Sequence, residues 1–421
     1  MSKRVYFIAC CFPPFGRGNA ITNACVASYL AEGFDVEVVC MEREDGGLIA
    51  YQEDQSLAEG LHPRLQVHRV QAANWHGLNT ALYALGVLPC YFLNWAWRVW
   101  RRRDELFTAP GAVFAVYPVF SDLVVGWLVS RRYGFPLLVD FRDDFFGVMA
   151  SGWRRILGPF YRFLERRIIA AAERISVTTE ALRDDLCRRY DLAADKVEVV
   201  YNIVPPVEAV AEVGEGEGPM RIIYAGAMSR VQKPEVLLKA YDQLLARDPA
   251  WQERLQVELY GPESPYFLAK IRKWLGDGRH FGGFVPQAEM AQKVAAAEMG
   301  FFSLSDATYA YATPTKLFDY IEAGVPIVAS LPEGASRDIV ERHQIGLVAE
   351  AGDAEGLARC LEQMATDAEL RARCRANMRA IRDSYRPQVQ VDKWGNLLRE
   401  MGLKGRSEEV EKPGQPLQTA L

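Results

Sequence analysis

Short apolar runs alternate with longer amphipathic stretches along almost the whole chain, and one acidic, glycine-rich interruption divides them into two sets. The first set of candidate strands lies at 5–10, 35–40, 65–70, 112–118, 136–141, 174–178 and 197–201. The second lies at 221–226, 255–260, 280–284, 299–304, 326–330 and 345–349. Helical patterns fill the intervals, as at 20–32, 233–246 and 288–297, and continue at 353–366, 367–383 and 387–402. Strands joined by helices run parallel, because each helical crossover returns the chain to the same end of the sheet. The expected class is therefore α/β, with two Rossmann-like parallel-sheet domains facing a cleft and ligands bound beyond the carboxyl ends of the strands.

The interruption begins at Pro205-Pro206 and continues as Glu-Val-Gly-Glu-Gly-Glu-Gly-Pro at 212–219. It reads as a linker over 205–219 between an N-terminal domain, 1–204, and a C-terminal domain, 220–384. Arg386-Pro387 breaks the late helical run, so a final helix at 385–403 is expected to change direction and pack back on the N-terminal domain. The polar, aperiodic tail 404–421 is expected to be disordered.

Charge and cysteine usage exclude several classes. A formal net charge of −5 argues against a nucleic-acid partner. The cysteines at 10, 11, 25, 40, 90, 187, 360 and 374 lack metal-ligand spacing and read as reduced thiols of a cytoplasmic protein. The five histidines form no cluster, so a zinc site is not expected. The apolar run after Lys3-Arg4 is short and meets Pro13-Pro14, which reads as a first strand and not a signal peptide.

The segment 313–330 says most about function. Thr313 suits a helix N-cap and Pro314 the first helical position; Gly324 suits the position past the end, and Ile327-Val328-Ala329 reads as a buried strand. Lys316 falls in the first turn and Asp319 one turn later on the same side. Free N–H groups and the positive end of the helix dipole suit a phosphate there, Lys316 adds a charge, and Asp319 can accept from sugar hydroxyls. Taken alone, the same residues make an ordinary capped helix with a solvated Lys and Asp. Other segments join it. Phe12-Pro-Pro-Phe-Gly16 to Gly18-Asn19 is a fixed turn after the first strand. At 222–238 a strand, Gly226 and a helix entrance carry Arg230 and Lys233. Phe281-Gly-Gly-Phe284-Val285-Pro ends a strand in exposed backbone.

As a set, in this order, these segments resemble the donor half of a GT-B glycosyltransferase, most of all glycosyltransferase family 4 in its polysaccharide-synthesis branch. The family's Pro-Pro/Gly turn is matched by Pro13, Pro14, Gly16 and Gly18. Its Gly turn with Arg and Lys is matched by Gly226, Arg230 and Lys233. Its Lys-x-x-Glu-Tyr-x-x-x-Gly-x-Pro stretch is matched by Lys316, Asp319, Tyr320, Gly324 and Pro326. Val139-Asp-Phe-Arg-Asp143 matches a further segment, and Asn202 falls where relatives carry Asn-Gly.

The resemblance implies a nucleotide-sugar donor, UDP- or GDP-linked, as co-substrate, with no other cofactor and no metal. Arg230 and Lys233 would hold the diphosphate and stabilise its departure. Gly226, Thr313 and Lys316 would complete that end, Asp319 would bond the ribose, and backbone at Phe284 and Val285 would meet the base. Gly16 and Gly18 would let the first loop approach the diphosphate and sugar. The implied transfer is retaining, with the leaving phosphate helping to deprotonate the acceptor hydroxyl. Asp143 is a candidate acceptor-side carboxylate; a salt bridge to Arg142 or a helix cap would occupy it equally well. The chain also departs from the pattern. Tyr311 stands eight positions before Asp319, where the family has Glu. Arg142 and Asp143 occupy a region where many relatives carry His, and Ala227 stands where many carry Arg. The sugar end, with Arg142 and Tyr311, is thus open in identity.

Residues 91–167 hold twelve arginines, no lysine and seven acids, a local charge of +5. Trp95–Arg103 and Trp153–Arg167 combine aromatics with basic stripes, the second carrying Arg155, Arg162 and Arg166, which suits an anionic membrane surface. The expectation is an enzyme at the inner face of the cytoplasmic membrane, extending a lipid-linked or glycan acceptor in surface polysaccharide or glycolipid synthesis. The same fold would also serve a nucleotide-sugar epimerase, or a membrane-associated assembly factor that has lost catalysis.

Overall fold

The computed structural model describes residues 3–16, 18–42, 52–150, 152–206, 218–264, 266–276 and 278–405. Linker residues 207–217 and tail residues 406–421 lie outside the described residues. The first sheet contains β1 (Arg4–Ile8), β2 (Asp35–Met41), β3 (Gln66–Val70), β4 (Ala112–Tyr117), β5 (Leu137–Phe141), β6 (Arg174–Val177) and β7 (Val197–Val199), in the order β3-β2-β1-β4-β5-β6-β7. The second contains β8 (Met220–Ala225), β9 (Leu255–Tyr260), β10 (Arg279–Gly283), β11 (Met299–Ser303), β12 (Ile327–Leu331) and β13 (Gly346–Glu350), in the order β10-β9-β8-β11-β12-β13. Every pairing is parallel. Each expected strand is present with its ends moved by a residue or two. The strand expected at 197–201 stops at Val199 because the Tyr201 N–H turns away to donate to Gln390 Oε1 at 3.0 Å.

The central strands β4, β5, β11 and β12 are buried throughout, which is why they read as continuous apolar runs. Alternate residues of β1 enter different cores. Tyr6 and Ile8 pack with Val113, Ala115 and Val139 on one face. Val5 and Phe7 pack on the other with Val26 and Leu30 of α1 (Gly18–Gly33). The second sheet separates Tyr224, Phe301 and Val328 from Ile223, Phe302 and Ile327 in the same way.

Further helices set the site: α2 (Gln55–Glu59), α3 (Leu93–Arg101), α4 (Gly158–Ala171), α5 (Glu180–Tyr190), α6 (Glu235–Arg247), α7 (Gln287–Ala295), α8 (Thr315–Ala323), α9 (Ala368–Tyr385) and α10 (Pro387–Glu400). Between α9 and α10, Arg386 is extended and Pro387 opens the new helix. α10 then lies on the first sheet, where Trp394, Leu397 and Leu398 join Val5, Phe7 and Phe114 in one core. Trp394 is fully buried, and its Nε1 donates to Ser176 Oγ at 2.9 Å.

Strand order reverses between β1 and β4 in the first sheet and between β8 and β11 in the second. Loops leaving neighbouring strands diverge at such points and open a crevice beyond their carboxyl ends. The loop after β1, with Gly16, and the turn after β8, with Gly226, both leave from these points.

Candidate active site in the cleft between the sheets

After β8 the chain turns at Gly226, whose φ of 131° and close neighbours both demand glycine. A Cβ there would lie 2.7 Å from Lys316 Nζ. Lys316 thus reaches under the turn. Its ammonium donates to Gln232 Oε1 and sits 4.9 Å from the centre of the Tyr224 ring. Tyr224 OH donates to the Ala227 carbonyl at 2.6 Å, and Ser229 Oγ accepts from Val231 and Gln232 N–H, so the turn is braced internally. Lys316 is 6% exposed, and burial pulls its pKa down to about 8 against the favourable charge of Asp319. Arg230 and Lys233 stay exposed on the same turn, just ahead of α6. Lys233 is close enough to Asp306 to help Thr308 and Ser305, the stronger causes, hold that carboxyl below its usual range.

The helix start at 313–316 differs from expectation. Pro314, with ψ 148°, is the N-cap residue, and α8 begins at Thr315. Proline's fixed φ and missing N–H suit that boundary as well as they suit the first turn. Thr313 is therefore not a cap. It is buried, its carbonyl accepts from Asn202 Nδ2 at 2.9 Å, and its hydroxyl has no partner among the described residues. Lys316 also departs from the expected solvated position, since its stem carries the charge beneath Gly226. Asp319 is half-buried on α8, and burial lifts its pKa to about 7 while Lys316 and the Gln287 side chain oppose the rise. Gly324, at φ 69°, ends the helix as expected.

The loop after β1 closes this end. Gly16 N–H donates to the Gln52 carbonyl at 2.8 Å, and a Cβ on Gly16 would lie 2.5 Å from the tip of the Phe284 ring. Only glycine lets the two halves meet so closely there. Gly18 opens α1, facing the Thr315 hydroxyl. Phe284 and Val285 follow β10 and lead into α7.

The other end of the cleft draws on both halves. Asp143 follows β5, and Tyr311 OH donates to its Oδ1 at 3.4 Å from across the cleft. Burial raises the Asp143 pKa to about 6, with Tyr311 and Arg142 lowering it in part. The Tyr311 carbonyl accepts from Thr179 Oγ1 at 2.9 Å. Arg142 does not bridge to Asp143. Its Nε donates to the buried Asp140 at 2.7 Å and its Nη1 to Asn23 at 2.9 Å, leaving Nη2 buried without a partner among the described residues. Nor does Asp143 cap the helix that follows, since Asp144 holds the N-cap position there. Asp140 on β5 and Asn23 on α1 take the Arg142 guanidinium instead.

The structure thus gathers Gly16, Gly18, Gly226, Arg230, Lys233, Phe284, Val285, Lys316 and Asp319 around one end, and Arg142, Asp143, Thr313 and Tyr311 nearer the other. The sequence reading missed Gln232, Tyr224, Asp54 and Gln287. Gln287 carries a faint signal, a polar residue after Pro286 at a helix start; Asp54 carries none. Among the described residues no group of three or more His, Cys, Asp or Glu is placed to hold a metal ion, and no helix is long and apolar enough to cross a membrane.

Trp95 is a correction to the expected membrane stripe: it is wholly buried in the first core. One side of α3 faces the core and residues two apart point to nearly opposite sides, so Trp97, 46% exposed, faces outward. Nothing is described of the Trp153 side chain.

Residues 18–202 match the model of the glycosyl transferase 4-like domain, and residues 219–367 match that of glycosyl transferases group 1. The chain is 26% identical over 346 residues to a D-inositol 3-phosphate glycosyltransferase of Streptomyces avermitilis, covering 74% of this chain and 69% of that one. Two other relatives of that name, from Saccharomonospora viridis and Streptomyces scabiei, are matched over 53% and 75% of their own length. The fold is similar to that of Anabaena HepE in complex with UDP and glucose, with a TM-score of 0.68 and 14% identity over 94% of this chain and 99% of that one. It is also similar to WaaG, a glycosyltransferase involved in lipopolysaccharide biosynthesis, with a TM-score of 0.63 and 15% identity over 94% and 99% of the two chains.

Proposed function

We propose that this chain, which belongs to the GT-B glycosyltransferases built from a glycosyl transferase 4-like half and a group 1 half, moves a sugar from a UDP- or GDP-linked donor to an acceptor hydroxyl. One observation carries the reading. Two separate turn–helix entrances, at Gly226–Lys233 and at Thr313–Lys316, meet through the Lys316 ammonium under Gly226. That junction concentrates three cationic side chains and the free N–H groups of helix starts at the end of the cleft covered by the Gly16 loop. Negative charge accumulates on the departing diphosphate as the anomeric bond breaks, and cations fixed beforehand stabilise it without reorganising. Arg230 and Lys233 would bind the diphosphate directly. Lys316 would hold the turn and add its charge from below. Asp319 would accept from the ribose hydroxyls, and backbone at Phe284 and Val285 would meet the base.

The family resemblance supports retention of configuration and independence from metal. Asp143 would receive the acceptor proton, or orient the hydroxyl while the leaving phosphate takes it. Tyr311 would hold it from across the cleft. The acceptor is read as lipid-linked or glycan. A second reading, an acceptor bearing a phosphate as in the name of the Streptomyces relatives, is favoured by the unpartnered Arg142 Nη2.

An anionic membrane surface is the proposed support, at the cytoplasmic side. Ile156, Phe160 and Phe163 are exposed in the segment that carries Arg155, Arg162 and Arg166, and Trp97 is exposed with Arg101 over its ring. Arg154 Nη2 donates to the Tyr83 carbonyl and Tyr161 OH to the Gly86 carbonyl, which brings exposed Leu85 and Val87 beside them. Apolar side chains amid arginines suit an interface of acyl chains and phosphate headgroups.

A thermal-shift screen with UDP, GDP and their common sugars tests the donor reading. One base family should raise the midpoint. No shift with any nucleotide would favour an assembly factor that has lost catalysis.

A further inference from the structure

The turn after β5 carries Asp143 and runs straight into a short helix, Phe145–Met149. Asp144 stands at the N-cap of that helix, where a carboxylate ordinarily takes a free N–H of the first turn. It makes no such bond. Both of its oxygens go to Arg189 of α5 as a fork: Nη1 donates to Oδ1 at 2.8 Å and Nη2 to Oδ2 at 3.0 Å. The capping duty passes to Glu165 of α4, whose Oε1 accepts from Phe146 N–H at 3.3 Å. Arg189 Nη1 also donates to the other oxygen of Glu165 at 3.2 Å, and Tyr190 OH donates to that same oxygen. Asp185, one turn back on α5, accepts from Nη2 as well. The side chains of Arg189, Asp144 and Glu165 are 8%, 13% and 1% exposed.

The Asp144 carboxylate has little choice of place. A Cβ on Gly147 would run into its Oδ2. Gly147 lies inside the short helix, where alanine is the better helix former, so what selects glycine is the carboxylate packed on it. The residue before Asp143 is fixed too. Arg142 N–H donates to the Tyr117 carbonyl at 3.3 Å, and the Arg142 carbonyl accepts from Thr178 Oγ1 at 3.3 Å. The run 142–146 is thus tied down on either side of Asp143, whose own carboxylate meets Tyr311 across the cleft.

We propose that Arg189 is a positioning residue: together with Glu165, and with Gly147 leaving the room, it locks Asp144 and so aims the neighbouring Asp143 at the acceptor side of the cleft. This rests on the reading of Asp143 as the acceptor-side carboxylate. An arginine buried among carboxylates is costly to assemble and costly to break, so such a cluster fixes the backbone that carries it. Its members all belong to the N-terminal half. Loosening it should therefore slow transfer and leave nucleotide binding alone.

Two measurements on the full chain test this: nucleoside diphosphate released from UDP- and GDP-sugars with an alkyl glycoside as acceptor, and equilibrium binding of UDP and GDP. Gly147→Ala should lower turnover about tenfold or more with nucleotide affinity unchanged. Arg189→Met, which strands buried carboxylates, should lose more. Arg189→Lys keeps the charge without the fork and should recover part of that loss. It serves, with Gly147→Ala, where Arg189→Met fails to fold. In the Asp143→Asn background, Gly147→Ala should cost less than about twofold, because both act through one carboxylate. A crystal structure of Gly147→Ala reads the same point without substrate: the Asp144 carboxylate should be turned off Arg189 and Asp143 moved from Tyr311. Wild-type turnover in Gly147→Ala and Arg189→Lys would overturn the proposal. So would an equal loss of nucleotide affinity, a penalty that persists undiminished in Asp143→Asn, or an Asp143 that keeps its place in that crystal. An Asp143→Asn variant that turns over like the wild type would instead remove the Asp143 assignment itself.

Discussion

The two ends of the cleft are built differently. At the donor end, Gly226, Ser229, Gln232 and Lys233 lie within one turn, braced by bonds spanning two to eight residues. Lys316 enters it from the one distant segment. At the sugar end the Arg142–Asp140 pair is local, but the other contacts are long-range. Asp143 meets Tyr311 across 168 positions, Arg142 meets Asn23 across 119, and Thr179 meets Tyr311 across 132. The donor end belongs mostly to one half, and the other half adds the Gly16 loop against Phe284 and the Asp54 carboxylate on Gln287 N–H. The sugar end exists only when both halves are together. A locally braced donor site and a conditional acceptor site would suit a transferase that must bind its donor first and react only after closure.

The largest test of that contrast is Lys233→Ala. Loss of a fixed cation at the departing diphosphate should lower transfer about 100-fold or more, with the thermal midpoint unchanged because the Lys233 side chain is exposed. Activity near wild type would mean that the donor end lies elsewhere. Next is Asp143→Asn. A carboxylate with a pKa of about 6 is an acceptor of protons only above that pH, so wild-type turnover should rise as pH increases through about 6. The variant should lose about 100-fold in turnover together with that limb, while nucleotide affinity stays put. A retained limb would assign it to another group. Tyr311→Phe should be milder, about threefold to tenfold. Its hydroxyl helps keep Asp143 ionised, so the limb should move to higher pH; a downward move would contradict the bridge. Smallest is Arg162→Ala, expected to weaken binding to anionic vesicles at low salt about fivefold, one interfacial charge being worth about 1 kcal/mol, without touching turnover on a water-soluble acceptor.

The same contrast explains what the sequence disclosed. Strands such as Val113–Val116 and Ile327–Ala329 are apolar without interruption because both faces of the sheet are covered, and that pattern is local. Gly226, Arg230 and Lys233 share a turn, so a positively charged helix entrance was legible there, and the family resemblance supplied the diphosphate reading. Gly324 was legible because a left-handed helix end selects glycine. Thr313 misled because a Thr-Pro pair suits either side of a helix boundary, and the boundary fell after the proline. The destination of Lys316 was hidden, since a long flexible stem reaches any neighbour and Gln232 is 84 positions away. Trp95 and Trp97 read alike in the sequence; only the side of α3 that meets the first core separates them. Asp54 and Gln287, 233 positions apart, have no shared pattern at all.

Calorimetric titration with UDP and with GDP, in the wild type and in Lys233→Ala, tests the central claim most directly. The account predicts that one of the two nucleotides saturates a single site per chain and that Lys233→Ala weakens it at least about tenfold. Binding of neither nucleotide, or equal affinity in the two proteins, would contradict the assignment of the Gly226–Lys233 and Thr313–Lys316 junction as the donor site.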